Sequence, residues 1–297
     1  MKALLCLLLS ALSCVAQLTL NSALYPPILG GGGGNGPPVS GFTLWLHADD
    51  TSSLFTNDHT TNISGAVQAT AGERVGIWLD RSIVAGTNHL YQFDATSGGN
   101  DRRPTLSSGW SNSMPVVTFP GSALNNQARL QSLTNNITFG VNTSAVTVCW
   151  IGALNNSGDS FNCVVCLDRT KMFLRRDNTN QKLEWGVNNG WAATANNFTY
   201  GKGYCWIGTF ITNNAVQNNG SWALYRNGGT PDTVTAAPFT WQAADFLALG
   251  GNGATTPALD QWADCVIAEV IVWPFELSSV QVSNVNFWAT NKYLLTP

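Results

Sequence analysis

Charge is scarce in this sequence. Asp, Glu, Lys and Arg make up 10% of its 297 residues, and the formal net charge is −3. Nothing in such a balance points to nucleic acid or to an anionic membrane as the partner. Histidine is rarer still, with His47, His59 and His89 all in the first third. Cys163-Val-Val-Cys166 has the spacing of a metal-ligand pair, but no second pair and no histidine cluster accompanies it, which argues against zinc. Gly-x-Ser-x-Gly, His-Glu-x-x-His, a phosphate-cradling glycine loop and an EF-hand pattern are all missing. Beyond the N-terminus no apolar run is long enough to cross a bilayer.

Apolar surface, by contrast, is plentiful. Hydrophobic residues account for 44% of the chain and include 12 tryptophans, so a large core is expected and disorder is not. Lys2 followed by the apolar stretch Ala3 to Leu12 and by Cys14-Val15-Ala16 has the form of a secretory signal, residues 1–16, cleaved before Gln17. The expected location is therefore extracellular, or on a virion or cell surface. Five cysteines remain after that cleavage, an odd number for an oxidising compartment. Residues 17–40 form an arm and linker, with Pro26-Pro27, the run Gly30 to Gly34, and Pro37-Pro38. Leu18, Leu20 and Leu24 alternate along the arm, so residues 17–28 are a candidate for self-association or docking by strand addition.

From residue 41 to 297 the chain reads as a single domain of short strands divided by Gly, Asn, Asp, Ser and Pro clusters. Strands are expected at Phe42–His47, Val75–Leu79, Pro115–Phe119, Ala145–Leu154, Phe161–Leu167, Lys182–Trp185, Tyr204–Ile211, Ser221–Tyr225 and Cys265–Trp273, among others. Ala145–Leu154 and Tyr204–Ile211 are apolar on both faces, as central strands are. Lys171 to Arg176 reads as the solvent face of a strand, and Asp80-Arg81 as an ion pair at a strand end. One helix is expected at the C-terminus, capped by Ser278 or Ser279, with Val282, Val285, Trp288, Ala289 and Lys292 at helical spacing. The fold class is all-β: a two-sheet antiparallel jelly-roll sandwich with that one helix.

These pieces, in this order, resemble the laminin-G-like (concanavalin A-like) jelly-roll domains. The likeness rests on Leu44-Trp45-Leu46-His47-Ala48-Asp49-Asp50, Trp78-Leu79-Asp80-Arg81-Ser82, Arg103-Pro104 and Met114-Pro115-Val116-Val117-Thr118-Phe119. It continues through Leu224-Tyr225-Arg226-Asn227-Gly228 and Ile267-Ala268-Glu269-Val270-Ile271-Val272-Trp273. His47 stands where that family carries Asp. The resemblance implies two sheets face to face, with binding on a concave face or a rim of loops.

Glycoside hydrolysis is the obvious catalytic use of such a fold, and it needs two carboxylates about 5–10 Å apart. Laminarinase-like relatives carry Glu-x-Asp-x-(x)-Glu on one strand. Here the glutamates are Glu73, Glu184, Glu269 and Glu276, with no such spacing. No catalytic residue is therefore assigned, and the chain is expected to be no enzyme. The expected function is a secreted, non-catalytic binding or adhesion module that recognises glycans or a surface. The alternative is a structural subunit of a viral or cellular assembly, such as a fibre, decoration or appendage, attached through its arm. Trp110, Trp191, Trp241 and Trp262, all placed in loops, are the ligand-binding candidates, since exposed aromatics stack on sugars. Asp49, Asp50 and Asp264 are the metal candidates, with calcium as the ion such hard oxygens suit. Cys149 and Cys205, each preceding Trp-Ile-Gly on a central strand, are the disulfide candidates.

Overall fold

The computed structural model describes residues 36–57, 65–82, 88–92, 103–121, 128–132, 145–156, 161–167, 172–177, 182–186, 194–195, 198–214, 219–238, 247–251 and 262–296. The chain divides into two compact units, Met1–Ser40 and Gly41–Pro297. The second unit carries the elements that follow.

Its strands are β1 (Leu44–His47), β2 (Leu54–Phe55), β3 (Ile77–Trp78), β4 (Leu90–Tyr91), β5 (Thr105–Ser107), β6 (Val116–Pro120), β7 (Leu130–Ser132) and β8 (Ala145–Leu154). There follow β9 (Phe161–Leu167), β10 (Met172–Asp177), β11 (Lys182–Gly186), β12 (Thr194–Ala195), β13 (Tyr204–Asn214), β14 (Asn219–Arg226), β15 (Asp232–Pro238), β16 (Leu247–Leu249) and β17 (Asp264–Trp273). The helix α1 (Ser279–Tyr293) closes the fold. An eight-stranded sheet runs β15-β14-β13-β8-β17-β6-β5, and β1 also pairs with β17, beyond the end of β6. A nine-stranded sheet runs β12-β11-β10-β9-β16-β7-β4-β3-β2. Among the described residues every pairing between these strands is antiparallel. The expected all-β sandwich with one C-terminal helix is what the structure shows.

Side-chain alternation explains the layers. On β13, Tyr204, Trp206 and Phe210 enter the core between the sheets, while Cys205 and Ile207 point to the opposite face. Val146, Val148 and Trp150 of β8, Val270 and Val272 of β17, and Leu183 and Trp185 of β11 join them in one apolar cluster. Glycine makes room where the layers approach closely. A Cβ on Gly208 would lie 2.5 Å from the Trp185 ring, and the Trp185 indole reaches past it to donate to the Thr209 carbonyl at 3.0 Å. That bond links the two sheets through the core. Gly152 is tighter. Opposite it β17 shifts register between Ile267 and Glu269, and a Cβ there would lie 2.1 Å from the Val266 carbonyl oxygen.

The outer face of the eight-stranded sheet is covered by α1, which buries Val282, Val285, Ala289 and Tyr293. Ser278 caps it: its hydroxyl accepts from the Gln281 amide, and the Gln281 side chain accepts from the Ser278 amide. A reciprocal pair of this kind satisfies two otherwise open backbone donors. Ser278→Ala is expected to cost about 1 kcal/mol, read as a lower urea midpoint with unchanged slope. Before the cap, the Thr147 hydroxyl donates to the Phe275 carbonyl and accepts from the Leu277 amide, tying the helix entry to β8. After β14 the chain turns tightly, with the Gly229 amide donating to the Arg226 carbonyl at 2.9 Å and Asn227 (φ 45°) and Gly228 (φ 73°) both at positive φ, as a turn of this hand requires.

Two readings of charge need correction here. Arg176 is fully buried, stacked over Tyr200 at 4.5 Å and donating to the Asn155 carbonyl, so the solvent face expected for Lys171 to Arg176 fails at Arg176, while Lys171 lies outside the described residues. A register irregularity between Leu174 and Arg175 disturbs the strict alternation that reading assumed. Asp80 and Arg81 are not partners either. Asp80 accepts from the Trp45 amide at 2.9 Å and from the Ser82 amide at 2.8 Å, while Arg81 pairs with Asp50 at 2.6 Å. Adjacent residues on an extended chain point apart, so the pair forms with other elements.

Candidate functional site

Among the described residues two groups of chemically capable side chains stand outside the core, one on each outer face. The first lies where β1, β17 and the last turn of α1 meet. His47 and Glu269 are register partners on β1 and β17. Glu269 is 0% exposed, a position that an ionised carboxylate tolerates only with its oxygens bonded. Its Oε2 accepts from the Trp45 indole at 3.1 Å, and its Oε1 accepts from the Tyr293 hydroxyl at 2.5 Å and from Lys292 Nζ. Glu269 is thus held by three donors from β1 and α1.

Lys292 also reaches Asp49, with Nζ 3.1 Å from Oδ2. His47 Nδ1 lies 2.8 Å from the other Asp49 oxygen, and the His47 ring stacks on Trp45 with centroids 4.2 Å apart. Burial pushes the Asp49 carboxyl up, but the His47 hydrogen bond and the Lys292 charge outweigh it and bring it to about 2. Burial lowers Lys292 while the Glu269 and Asp49 charges raise it, and the net shift is upward. Burial and the same two carboxylates hold the Tyr293 phenol well above its ordinary value.

The second group lies on the outer face of the nine-stranded sheet. Leu183 and Trp185 point into the core, so Glu184 between them points out. Its register partner is Arg175, and Arg175 Nε lies 3.1 Å from Glu184 Oε2. Both are nearly buried, at 9% and 6% exposure. Cys163, the partner of Arg175 on β9, continues the row, and Trp262 bridges to Cys163 in parallel. Arg129 lies over the Trp262 ring at 5.8 Å. A carboxylate, two guanidiniums and an indole thus line one face.

The residues singled out from the sequence fare unevenly. Trp262 is 2% exposed and packs beside Gly251, so it is part of the folded body and not a loop aromatic open to ligand. Trp110 is half-buried, near Tyr293 at 5.9 Å and against Gly203. Trp191 and Trp241 lie outside the described residues. The three aspartates are not brought together. Asp49 is engaged by His47 and Lys292, Asp50 by Arg81, and Asp264 at the start of β17 accepts from Asn155 Nδ2 at 2.9 Å. Among the described residues no group of three or more His, Cys, Asp or Glu is disposed to hold a metal.

Cys149 and Cys205 do approach, with Sγ atoms 3.8 Å apart, but both are free thiols. In the register of β8 against β13, Cys149 faces Ile207 and Cys205 faces Ile151, which leaves the two cysteines diagonal. The Arg175–Glu184 pair was missed altogether. Its one sequence signal was the alternation Leu183-Glu184-Trp185.

No protein-family model and no curated protein matches the chain. Solved structures do. Trypanosoma rangeli sialidase in complex with sialic acid is 12% identical, with a TM-score of 0.50, over 89% of this chain and 35% of the sialidase. The same sialidase in complex with the inhibitor DANA matches at 11% identity and a TM-score of 0.50, over 89% and 35%. A GH54 α-L-arabinofuranosidase matches at 10% identity and a TM-score of 0.48, over 74% of this chain and 51% of that one. This chain therefore spans about a third of the sialidase it matches. The likeness shows the fold alone, a sheet-rich sandwich shared with part of the sialidase.

That finding corrects the expectation of a non-catalytic binding or structural module. The expectation leaned on a missing strand of alternating carboxylates. Hydrolysis of glycosides is not confined to that device, since sialidases use a tyrosine nucleophile. Among the described residues no helix is long and apolar enough to cross a membrane.

Proposed function

We propose that this chain is a carbohydrate-active protein, a jelly roll of the laminin-G-like kind that engages a glycan on the outer face of its nine-stranded sheet and acts in glycoside hydrolysis. The observation that carries the reading is the Arg175–Glu184 pair, held at 3.1 Å on the face turned away from the core. Supporting it, the sandwich is shared with a sialidase over most of this chain. A carboxylate oriented by a guanidinium can accept sugar hydroxyls or take a proton, and arginine suits an acidic or hydroxylated ligand.

The test is hydrolysis of α-sialosides, α-L-arabinofuranosides and a polysaccharide panel, alongside a glycan array. Glu184→Gln is expected to lower kcat by roughly 10²-fold or more while the protein stays folded by circular dichroism. Absence of both product release and glycan binding across the panel sinks the reading. So does hydrolysis that Glu184→Gln leaves untouched. Export is part of this proposal, and N-terminal sequencing of the released chain checks it.

A further inference from the structure

The Lys292 amine is 6% exposed and sits between two carboxylates, with Asp49 Oδ2 at 3.1 Å and Glu269 Oε1 in hydrogen-bond contact. Trp45, Tyr293 and Trp288 wall the group: the Trp45 indole and the Tyr293 hydroxyl hold Glu269, and the amine lies 5.3 Å from the Trp288 ring centre. The Asp49 side chain is 24% exposed, and an ammonium paired with a carboxylate has the composition of an amide plus one water. Contact of this kind supplies the proximity that an intramolecular acyl transfer needs.

We propose that Lys292 and Asp49 join in an isopeptide bond, with Glu269 as the proton carrier, so that the C-terminal helix is covalently tied to the end of β1. The balance is closed within the three side chains. One ammonium proton passes to the Asp49 carboxylate along the 3.1 Å contact, leaving a neutral amine and a carboxylic acid. Nζ attacks Asp49 Cγ, forming the C–N bond, and its second proton goes to Glu269. Glu269 returns that proton to the departing hydroxyl as the C–O bond breaks, and water leaves. No oxidant or other reactant is consumed, and Glu269 ends as it began.

His47 completes the arrangement. Its Nδ1, 2.8 Å from Asp49 Oδ1, is placed to hold the oxygen on which negative charge gathers in the tetrahedral intermediate. Stacking on Trp45 fixes the ring. Glu269 is held by the Trp45 and Tyr293 donors, so its free movement is confined to the proton it shares with Lys292. Resting charge favours the ion pair, so the first proton transfer is the slow event, and the bond forms once per molecule.

Intact mass of the reduced full chain, with both termini sequenced, is the deciding measurement. The expected result is a protein one water lighter than its sequence, with a protease digest yielding a branched peptide that joins Asp49 to Lys292. Lys292→Arg keeps the charge but cannot form the bond, and Glu269→Gln removes the carrier. Both are expected to return the chain to its sequence mass, with folding confirmed by circular dichroism. A wild-type chain at its full sequence mass overturns the proposal. A water lost elsewhere, with the Asp49 and Lys292 peptides recovered separately, overturns it equally.

Discussion

Replacing Glu269 by alanine is expected to cost about 3 kcal/mol of folding stability. The loss comes from what remains. The Trp45 indole and the Tyr293 hydroxyl would stand buried without their acceptor, and Lys292, left unjoined without its proton carrier, would keep Asp49 alone as counter-charge. Truncating one member of a buried charge pair typically costs about 3–5 kcal/mol. Asp49 stays with Lys292 and places this case at the lower end. Removing a single donor is far milder: Tyr293→Phe should cost about 1 kcal/mol, the ordinary net value of one hydrogen bond. Urea unfolding followed by tryptophan fluorescence measures both. A Glu269→Ala loss under about 1 kcal/mol would mean that water replaces the carboxylate, contrary to its complete burial.

Gly152→Ala is expected to be the most damaging small substitution in the sandwich, at about 3 kcal/mol or loss of folding. The added methyl would lie 2.1 Å from the Val266 carbonyl oxygen and 2.6 Å from the Trp150 indole nitrogen. The first obstacle is backbone, on the neighbouring central strand, and cannot swing aside as a side chain does. Relief requires β8 and β17 to separate at the register shift, where Cys265 to Trp273 otherwise pair along β8. Gly201→Ala is the useful contrast. Nothing lies within 4 Å of its added methyl, so its cost arises only from the positive φ of 73°. A Gly152→Ala protein with a melting temperature within a few degrees of wild type would show that the strands part there without resistance.

The frame of the molecule was legible because it is written locally. Both-face-apolar stretches marked β8 and β13 as central, and Ser278 or Ser279 announced the helix start. Short strands such as β5, β7 and β12 had too few residues for alternation to show. The chemical groups were harder because their partners are remote in sequence. Lys292 meets Glu269 across a helix-to-sheet contact, and Arg81 meets Asp50 across a loop. Arg175 and Glu184 needed the register of β10 against β11. The cysteine diagonal shows the limit well: matching Trp-Ile-Gly contexts predicted proximity, which holds, but not the offset that antiparallel register imposes. Function lay furthest from reach, since missing motifs say little about a fold that hosts several catalytic devices.

Cys149, Cys163, Cys166, Cys205 and Cys265 are all buried and unbridged. Burial holds the Cys149 and Cys265 thiols well above their ordinary acidity range, and Cys163 is raised by its hydrogen bond to Cys166 and then by burial. The reactive form in disulfide exchange is the thiolate, which is suppressed at Cys149, Cys163 and Cys265. An odd set of thiols would otherwise invite random cross-linking in any oxidising medium. Here shape does the work that pairing does elsewhere, and the native molecule is chemically quiet because it is closed. Covalent uniformity and conformational stability thereby become one property, and a population of this protein stays monodisperse only as long as its sandwich does not open.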